Sequence, residues 1–282
     1  MLSVPSALLC CSLCSGLYVG LLYIWPLLGV HSDVLNPKTR DRTDVIKLRS
    51  ISVIIASVIS YLIVHCATGH RVKSLQLFAH LSTSLYSAAV GLTLTLTLMM
   101  GPLLYGESAM NGLNKWQILR ALLIAPVTEE FVFRGCCDAL LREASLSFAW
   151  RLALCGPVFF TLAHVHHYTK EILVDPVRGV ISACLTMSYT GVFGAFCTAL
   201  LEATGSLAGP IASHMVCNYT GLPDFDFRSD DGRKAAAYIA GVLLFLTECV
   251  YFGLLHYSRS VVCQYGRCIL RSHSWNAKRL AD

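Results

Sequence analysis

Ala125-Pro126-Val127-Thr128-Glu129-Glu130-Phe131-Val132-Phe133-Arg134-Gly135 places two adjacent carboxylates and an arginine inside a run that is otherwise apolar enough to enter a bilayer. An ionisable side chain at bilayer depth costs about 2.5 to 3.5 kcal/mol on insertion scales, so such groups face a protein interior or a wet cavity. Glu130 and Arg134 stand four residues apart with the acid first, the order in which a helical ion pair closes. Glu129 points about 100° away from that pair, because each residue advances a helix by that angle. One carboxylate is therefore neutralised on its own helix, and Glu129 is free to face something else.

The rest of the chain fits a membrane solvent. Of 282 residues, 55% are hydrophobic and only 14% charged, and mean hydropathy is +0.60. Soluble domains carry about 25% charged residues, which excludes that class. Continuous apolar runs rather than alternating ones argue for helices over a transmembrane barrel. The fold class expected is all-α: a polytopic membrane protein of about eight helical segments around a membrane-embedded catalytic cavity. One membrane domain is expected over residues 1–258, followed by a basic tail over 259–282.

The segments are read as Ser6–Val30, Ile51–Thr68, Leu81–Tyr105, Trp116–Leu141, Phe148–His166, Gly179–Leu201, a short Leu207–Gly221 and Ala235–Tyr257. Basic residues collect in the loop His31–Arg49 and in the tail, at Arg259, Arg267, Arg271, Lys278 and Arg279. Seven segments separate those two basic regions, which puts them on opposite faces if all seven cross, against the positive-inside rule. A re-entrant seventh segment would remove the conflict. The net charge of +5 suits contact with anionic lipid, and no nucleic-acid motif is present. The 13 cysteines are scattered and read as small buried thiols. Asp224, Asp226, Asp230 and Asp231 read as a solvated acidic loop, and His166 and His167 as solvated residues at a segment end.

Three segments carry an out-of-place polar set: Glu129, Glu130 and Arg134; Phe160 and His164; His214 and Asn218. The last two sets share a helix face by i,i+4 spacing. Each set follows a proline within two turns (Pro126, Pro157, Pro210), and proline frees backbone groups where a membrane helix borders a wet cavity. One shared cavity is expected. A carboxylate and an imidazole holding one water can deprotonate it for attack on a carbonyl. A second histidine and an asparagine amide can donate to the oxyanion. Glu, His and His are equally the ligand types of a catalytic zinc. No His-Glu-x-x-His is present, and spacing alone leaves zinc open.

At these residues the chain resembles the Ras-converting CaaX endopeptidases, the type II CaaX prenyl proteases, within a wider group of membrane proteases related to bacteriocin-immunity proteins. The family's motifs E-E-x-x-x-R, F-x-x-x-H and H-x-x-x-N are complete here, as Glu129-Glu130 with Arg134, Phe160 with His164, and His214 with Asn218. The flanking runs Ala163-His164-Val165-His166-His167 and Ser188-Tyr189-Thr190-Gly191-Val192-Phe193-Gly194-Ala195 are similar as well. The likeness extends from about Ser15 to the last apolar segment.

The resemblance implies an endoplasmic-reticulum protein with its cavity open to the cytosol and to lipid. It implies removal of the aaX tripeptide from farnesylated or geranylgeranylated CaaX proteins such as Ras-type GTPases. It assigns water activation to Glu129 and His164, oxyanion stabilisation to His214 and Asn218, and support to Glu130, Arg134 and Phe160. Members of that family have been described both as metalloproteases and as metal-free glutamate-dependent proteases; the metal-free form, which gives Asn218 a task, is expected here with zinc left open, and no catalytic cysteine is implied. The competing readings are a zinc protease on the same residues and a non-catalytic scaffold or immunity-type protein of the same fold, which a missing motif residue would have favoured. The C-terminus, Arg279-Leu280-Ala281-Asp282, is not a CaaX box.

Overall fold

The computed structural model describes residues 2–30, 37–69, 80–221 and 232–253, and among them there are helices and connecting turns but no strand. Six helices are long and apolar enough to cross a membrane: α1 Val4–Leu27, α2 Thr43–Ala67, α3 Leu81–Leu98, α5 Phe148–Val174, α6 Pro176–Thr204 and α8 Arg233–Gly253. Between them lie α4, residues 115–143, and α7, Ala208–Thr220. Helix α4 carries charge along its whole length. The 13 residues of α7 reach only about 20 Å at 1.5 Å per residue, short of a hydrocarbon core about 30 Å thick. The acidic loop lies almost wholly outside the described residues, and so does the tail.

Boundaries differ from the sequence expectation where charge masks a helix. Helix α2 starts at Thr43, not at Ile51, so Lys47 and Arg49 belong to its first turns rather than to a loop. Asp44 in the first turn suits the positive end of the helix dipole, and long basic stems pack along apolar surface while their heads reach out. Helix α5 runs on to Val174 through a short 3-10 turn, Val165–Tyr168, so His166 and His167 are helical rather than terminal.

Proline shapes two of the three motif helices. Helix α4 changes to π-helical pitch at Arg120–Ile124, just before Pro126, and again at Phe131–Cys137. Helix α5 does so at Leu154–Phe160, around Pro157. Pro210 is different: it is the third residue of α7, in the first turn, where no backbone N–H is needed, and α7 is regular. The expectation of a helix break ahead of all three sets is corrected there.

Small residues let the helices approach. Gly156 on α5 faces Gly194 on α6 so closely that a Cβ on Gly194 would stand 2.5 Å from the Gly156 Cα. At the α3–α7 contact Ser87 Oγ accepts from the Gly209 N–H at 2.9 Å, and the Ser213 hydroxyl donates to the Gly91 carbonyl at 3.1 Å. Small side chains and hydroxyl hydrogen bonds are the usual adhesive where lipid removes the hydrophobic drive between helices. The main core joins α1, α2, α4 and α5 through Tyr18, Ala56, Phe133, Leu140 and Phe160, and it encloses the fully buried thiols of Cys11, Cys14, Cys136, Cys137 and Cys155.

An ionic clasp, buried at Asp138 and Arg151 and half-buried at Arg142 and Glu202, ties α4, α5 and α6. Arg151 donates to Asp138 at 2.7 Å and to Glu202 at 3.0 Å, while Arg142 bonds both Asp138 and Glu202. Leu and Ile side chains such as Leu9, Ile54, Leu85, Leu185 and Leu243 project outward, as lipid-facing positions do.

Candidate active site

The doublet divides as helix geometry requires. Glu130 is fully buried and paired with fully buried Arg134, whose Nη1 donates to Oε1 at 3.3 Å and whose Nε stands 3.3 Å from Oε2. The Glu129 side chain retains 16% exposure and turns to the cleft. Phe160 receives the Arg134 guanidinium on its ring face, 4.0 Å from the centroid, a cation–π contact. The guanidinium fits because residue 194 is glycine: a Cβ there would lie 2.8 Å from Nη2.

Two histidines converge on Glu129. His164 Nε2 lies 3.9 Å and His214 Nε2 3.8 Å from the same oxygen, Oε2. Each ring is fixed by its other nitrogen. His164 Nδ1 is 2.8 Å from the Phe160 carbonyl, and a carbonyl only accepts, so Nδ1 carries a hydrogen and Nε2 is the nitrogen that faces Glu129. His214 Nδ1 is 2.8 Å from Glu130 Oε1, which couples the buried brace directly to the second histidine. Phe160 packs edge-on against His164, with centroids 4.5 Å apart, and against His214 at 6.2 Å.

Asn218 makes a contact that sequence spacing does not reveal. Its Nδ2 donates to the Ala121 carbonyl at 2.8 Å. In the π stretch the Ala125 N–H bonds Arg120, five residues back. The next donor in that register would be Pro126, facing Ala121, and proline has no N–H. Asn218 supplies the missing donor and so ties α7 to the backbone ahead of the glutamates. One amide hydrogen remains for another acceptor.

The cleft wall takes in Tyr18, Arg49, Arg120, Glu129, Phe133 and His164. His214 is 6% exposed, behind Glu129 rather than on this wall. His166 and His167 line the cleft without touching Glu129. Phe193, absent from the candidate residues, packs on His214 with centroids 5.1 Å apart. Its signal lay in the run 188–195 next to Gly194.

Among the described residues, no group of three or more His, Cys, Asp or Glu side chains has metal-site spacing. The separations of 3.8 and 3.9 Å exceed the roughly 3.3 Å edge of a tetrahedron built on zinc bonds of about 2.05 Å. The donor types nonetheless suit zinc, since both Nε2 atoms face a carboxylate and both Nδ1 atoms are held by an outer acceptor.

The family model described as type II CAAX prenyl endopeptidase Rce1-like matches residues 111–220, a span that holds every motif residue. CAAX prenyl protease 2 of Homo sapiens is 33% identical over 259 residues, covering 81% of this chain and 75% of the human protein. The chain belongs to the type II CAAX prenyl endopeptidases. The Rattus norvegicus CAAX prenyl protease 2 is 30% identical, covering 87% of this chain and 81% of its own. The Arabidopsis thaliana protein of that name is 36% identical over 143 residues, a match that spans 45% of its length. No solved structure matches the chain. Membership of the type II CAAX prenyl endopeptidases makes this a membrane protease, and helices α1 and α2, outside the matched span, supply Tyr18 and Arg49 to its cleft.

Proposed function

We propose that this enzyme releases the aaX tripeptide from farnesylated or geranylgeranylated CaaX proteins, Ras-type GTPases among them, by direct attack of water on the amide after the prenylcysteine. The observation that carries the mechanism is the convergence of His164 Nε2 and His214 Nε2 on one oxygen of Glu129, at 3.9 and 3.8 Å. Such gaps are too long for a direct hydrogen bond and short enough for one water to touch carboxylate and imidazole together. Glu129, with His164, takes a proton from that water as its oxygen bonds to the carbonyl carbon. With its Nδ1–H given to Glu130, His214 must carry a second hydrogen on Nε2 to act here, and that hydrogen with the remaining Asn218 amide hydrogen holds the oxyanion. Collapse breaks the C–N bond, and the proton held by Glu129 and His164 passes to the leaving amine.

Glu130 and Arg134 act as braces through His214 and Phe160. The setting is the endoplasmic-reticulum membrane, with the cleft open to the cytosol.

The test is tripeptide release from a farnesylated CaaX peptide by detergent-solubilised protein, with Glu129→Ala alongside. Release by the parent and none by the variant is expected; undiminished release by the variant would sink the mechanism. A second reading, zinc held by Glu129, His164 and His214, is favoured by the outer acceptors on both Nδ1 atoms. It requires that a chelator abolish activity and Zn²⁺ restore it, whereas the metal-free mechanism predicts full activity in stripped protein.

A further inference from the structure

Arg49 projects from the first turns of α2 into the same cleft as Glu129 and His164. Its Nη1 is buried without a hydrogen-bond partner, and Asp41, near enough to act on its charge, bonds Arg120 instead. Arg120, the neighbour of Arg49 on the cleft wall, is paired with Asp41 at 2.7 Å. Beside the two, Lys47 sits 4.6 Å over the Trp116 ring, and Gln117 donates to the Asp41 carbonyl at 3.3 Å. A half-buried guanidinium with a buried, unused donor is costly unless an anion completes it. Resting on the activity above, we propose that Arg49, aided by Arg120, binds the free α-carboxylate at the C-terminus of the CaaX substrate and so sets the cleavage register three residues from the chain end.

Dimensions agree with this assignment. Arg120 lies nine residues before Glu129 on α4, about 13 Å along the axis at 1.5 Å per residue. Three extended residues reach about 10 to 11 Å, and the arginine side chains cover the difference. The chemistry agrees too. An enzyme that removes three residues of varied side chain needs a feature common to every substrate, and the terminal carboxylate is one. A guanidinium fork matches a carboxylate with two parallel N–H···O bonds, which an ammonium cannot reproduce.

The test compares a farnesylated CaaX peptide ending in a free carboxylate with the same peptide as its C-terminal carboxamide, in non-ionic detergent. Wild type should cleave the acid with a kcat/KM about 10- to 100-fold above the amide, the range expected for a charge-assisted pair. Arg49→Gln should bring that ratio close to one, mainly through KM on the acid, and Arg49→Lys should restore part of it. Arg120→Gln should lower it less. A thermal melt of each variant reports folding separately. A ratio that Arg49→Gln leaves at the wild-type value, or a wild type that cleaves acid and amide alike, overturns the proposal. An Arg49→Gln effect seen only when anionic phospholipid is added assigns the guanidinium to a headgroup and overturns it as well. A wild type that cleaves neither peptide removes the proposed activity itself, a result distinct from equal cleavage of both.

Discussion

Removing the Glu130 carboxylate would leave Arg134 fully buried against Phe160 with no counter-charge, and would free His214 Nδ1 from its acceptor. A buried charge stripped of its partner costs about 3 to 5 kcal/mol. Glu130→Gln should therefore lower the thermal unfolding midpoint in detergent as well as the activity. Glu129→Gln, at a partly exposed carboxylate, should leave the midpoint in place while hydrolysis falls about 100- to 10,000-fold, the usual weight of a general base. A melt and a tripeptide assay on both variants check the division of labour. That division is legible in sequence because i,i+4 partners sit on one helix. The bond from Asn218 to Ala121 is not legible, because it depends on a π offset that residue spacing does not encode. Arg49 was hidden for another reason: a basic residue beside a polar run reads as loop, whereas its helix had already begun.

Helix α4 positions the whole constellation through a backbone register shared between Pro126 and Asn218. Restoring an N–H with Pro126→Ala offers Ala121 a donor on its own helix and lets Arg120–Ile124 relax toward α pitch. A residue on a π turn that reverts rotates relative to its neighbours, so Glu129 loses its aim at the two Nε2 atoms. Activity should fall at least tenfold with the midpoint unchanged or raised, since a helix-interior proline costs about 3 kcal/mol; a fully active variant would contradict this account. At the α5–α6 crossing, Gly194→Ala puts a methyl 2.8 Å from Arg134 Nη2 and 2.5 Å from Gly156 Cα. Overpacking of this kind costs about 1 to 3 kcal/mol, and the loss should appear in the melt as well as the assay. The prolines of α4 and α5 were readable as breaks. Pro210 was not distinguishable from them until its place in the first turn of α7 was known.

Among the described residues, the bundle combines apolar and small-residue contacts with an ionic clasp that joins α4, α5 and α6. Arg151 bridges Asp138 on α4 to Glu202 on α6. Arg151→Met should therefore destabilise the protein by several kcal/mol in the melt, because both carboxylates lose a partner. Adding Asp138→Leu, Glu202→Leu and Arg142→Leu should recover much of the loss, because Arg142, bonded to both carboxylates, is then not left unpaired either. Six apolar spans predict retention in the membrane pellet after alkaline carbonate extraction, and release into the supernatant would contradict them. The apolar runs made the helical class plain. They left the number of crossings open, because α4 is too charged and α7 too short for hydropathy to rank them beside the others.

The five fully buried thiols between α1, α4 and α5 bear on how inhibition of this enzyme is interpreted. Cys136 and Cys137 sit on the π turn that follows the glutamates, and Cys11 Sγ contacts the Cys137 carbonyl at 3.6 Å. An alkylating reagent can reach them only when α1 lifts from α4, and the adduct would then prop the two helices apart. Hydrolysis would stop although the mechanism proposed above uses no sulfur. With the more accessible Cys10, Cys66, Cys184, Cys217 and Cys249 replaced by serine, inactivation by maleimides would thus measure how often the bundle breathes. A bound substrate that holds α1 against α4 would slow the reaction, and that protection should not be mistaken for the signature of a cysteine protease.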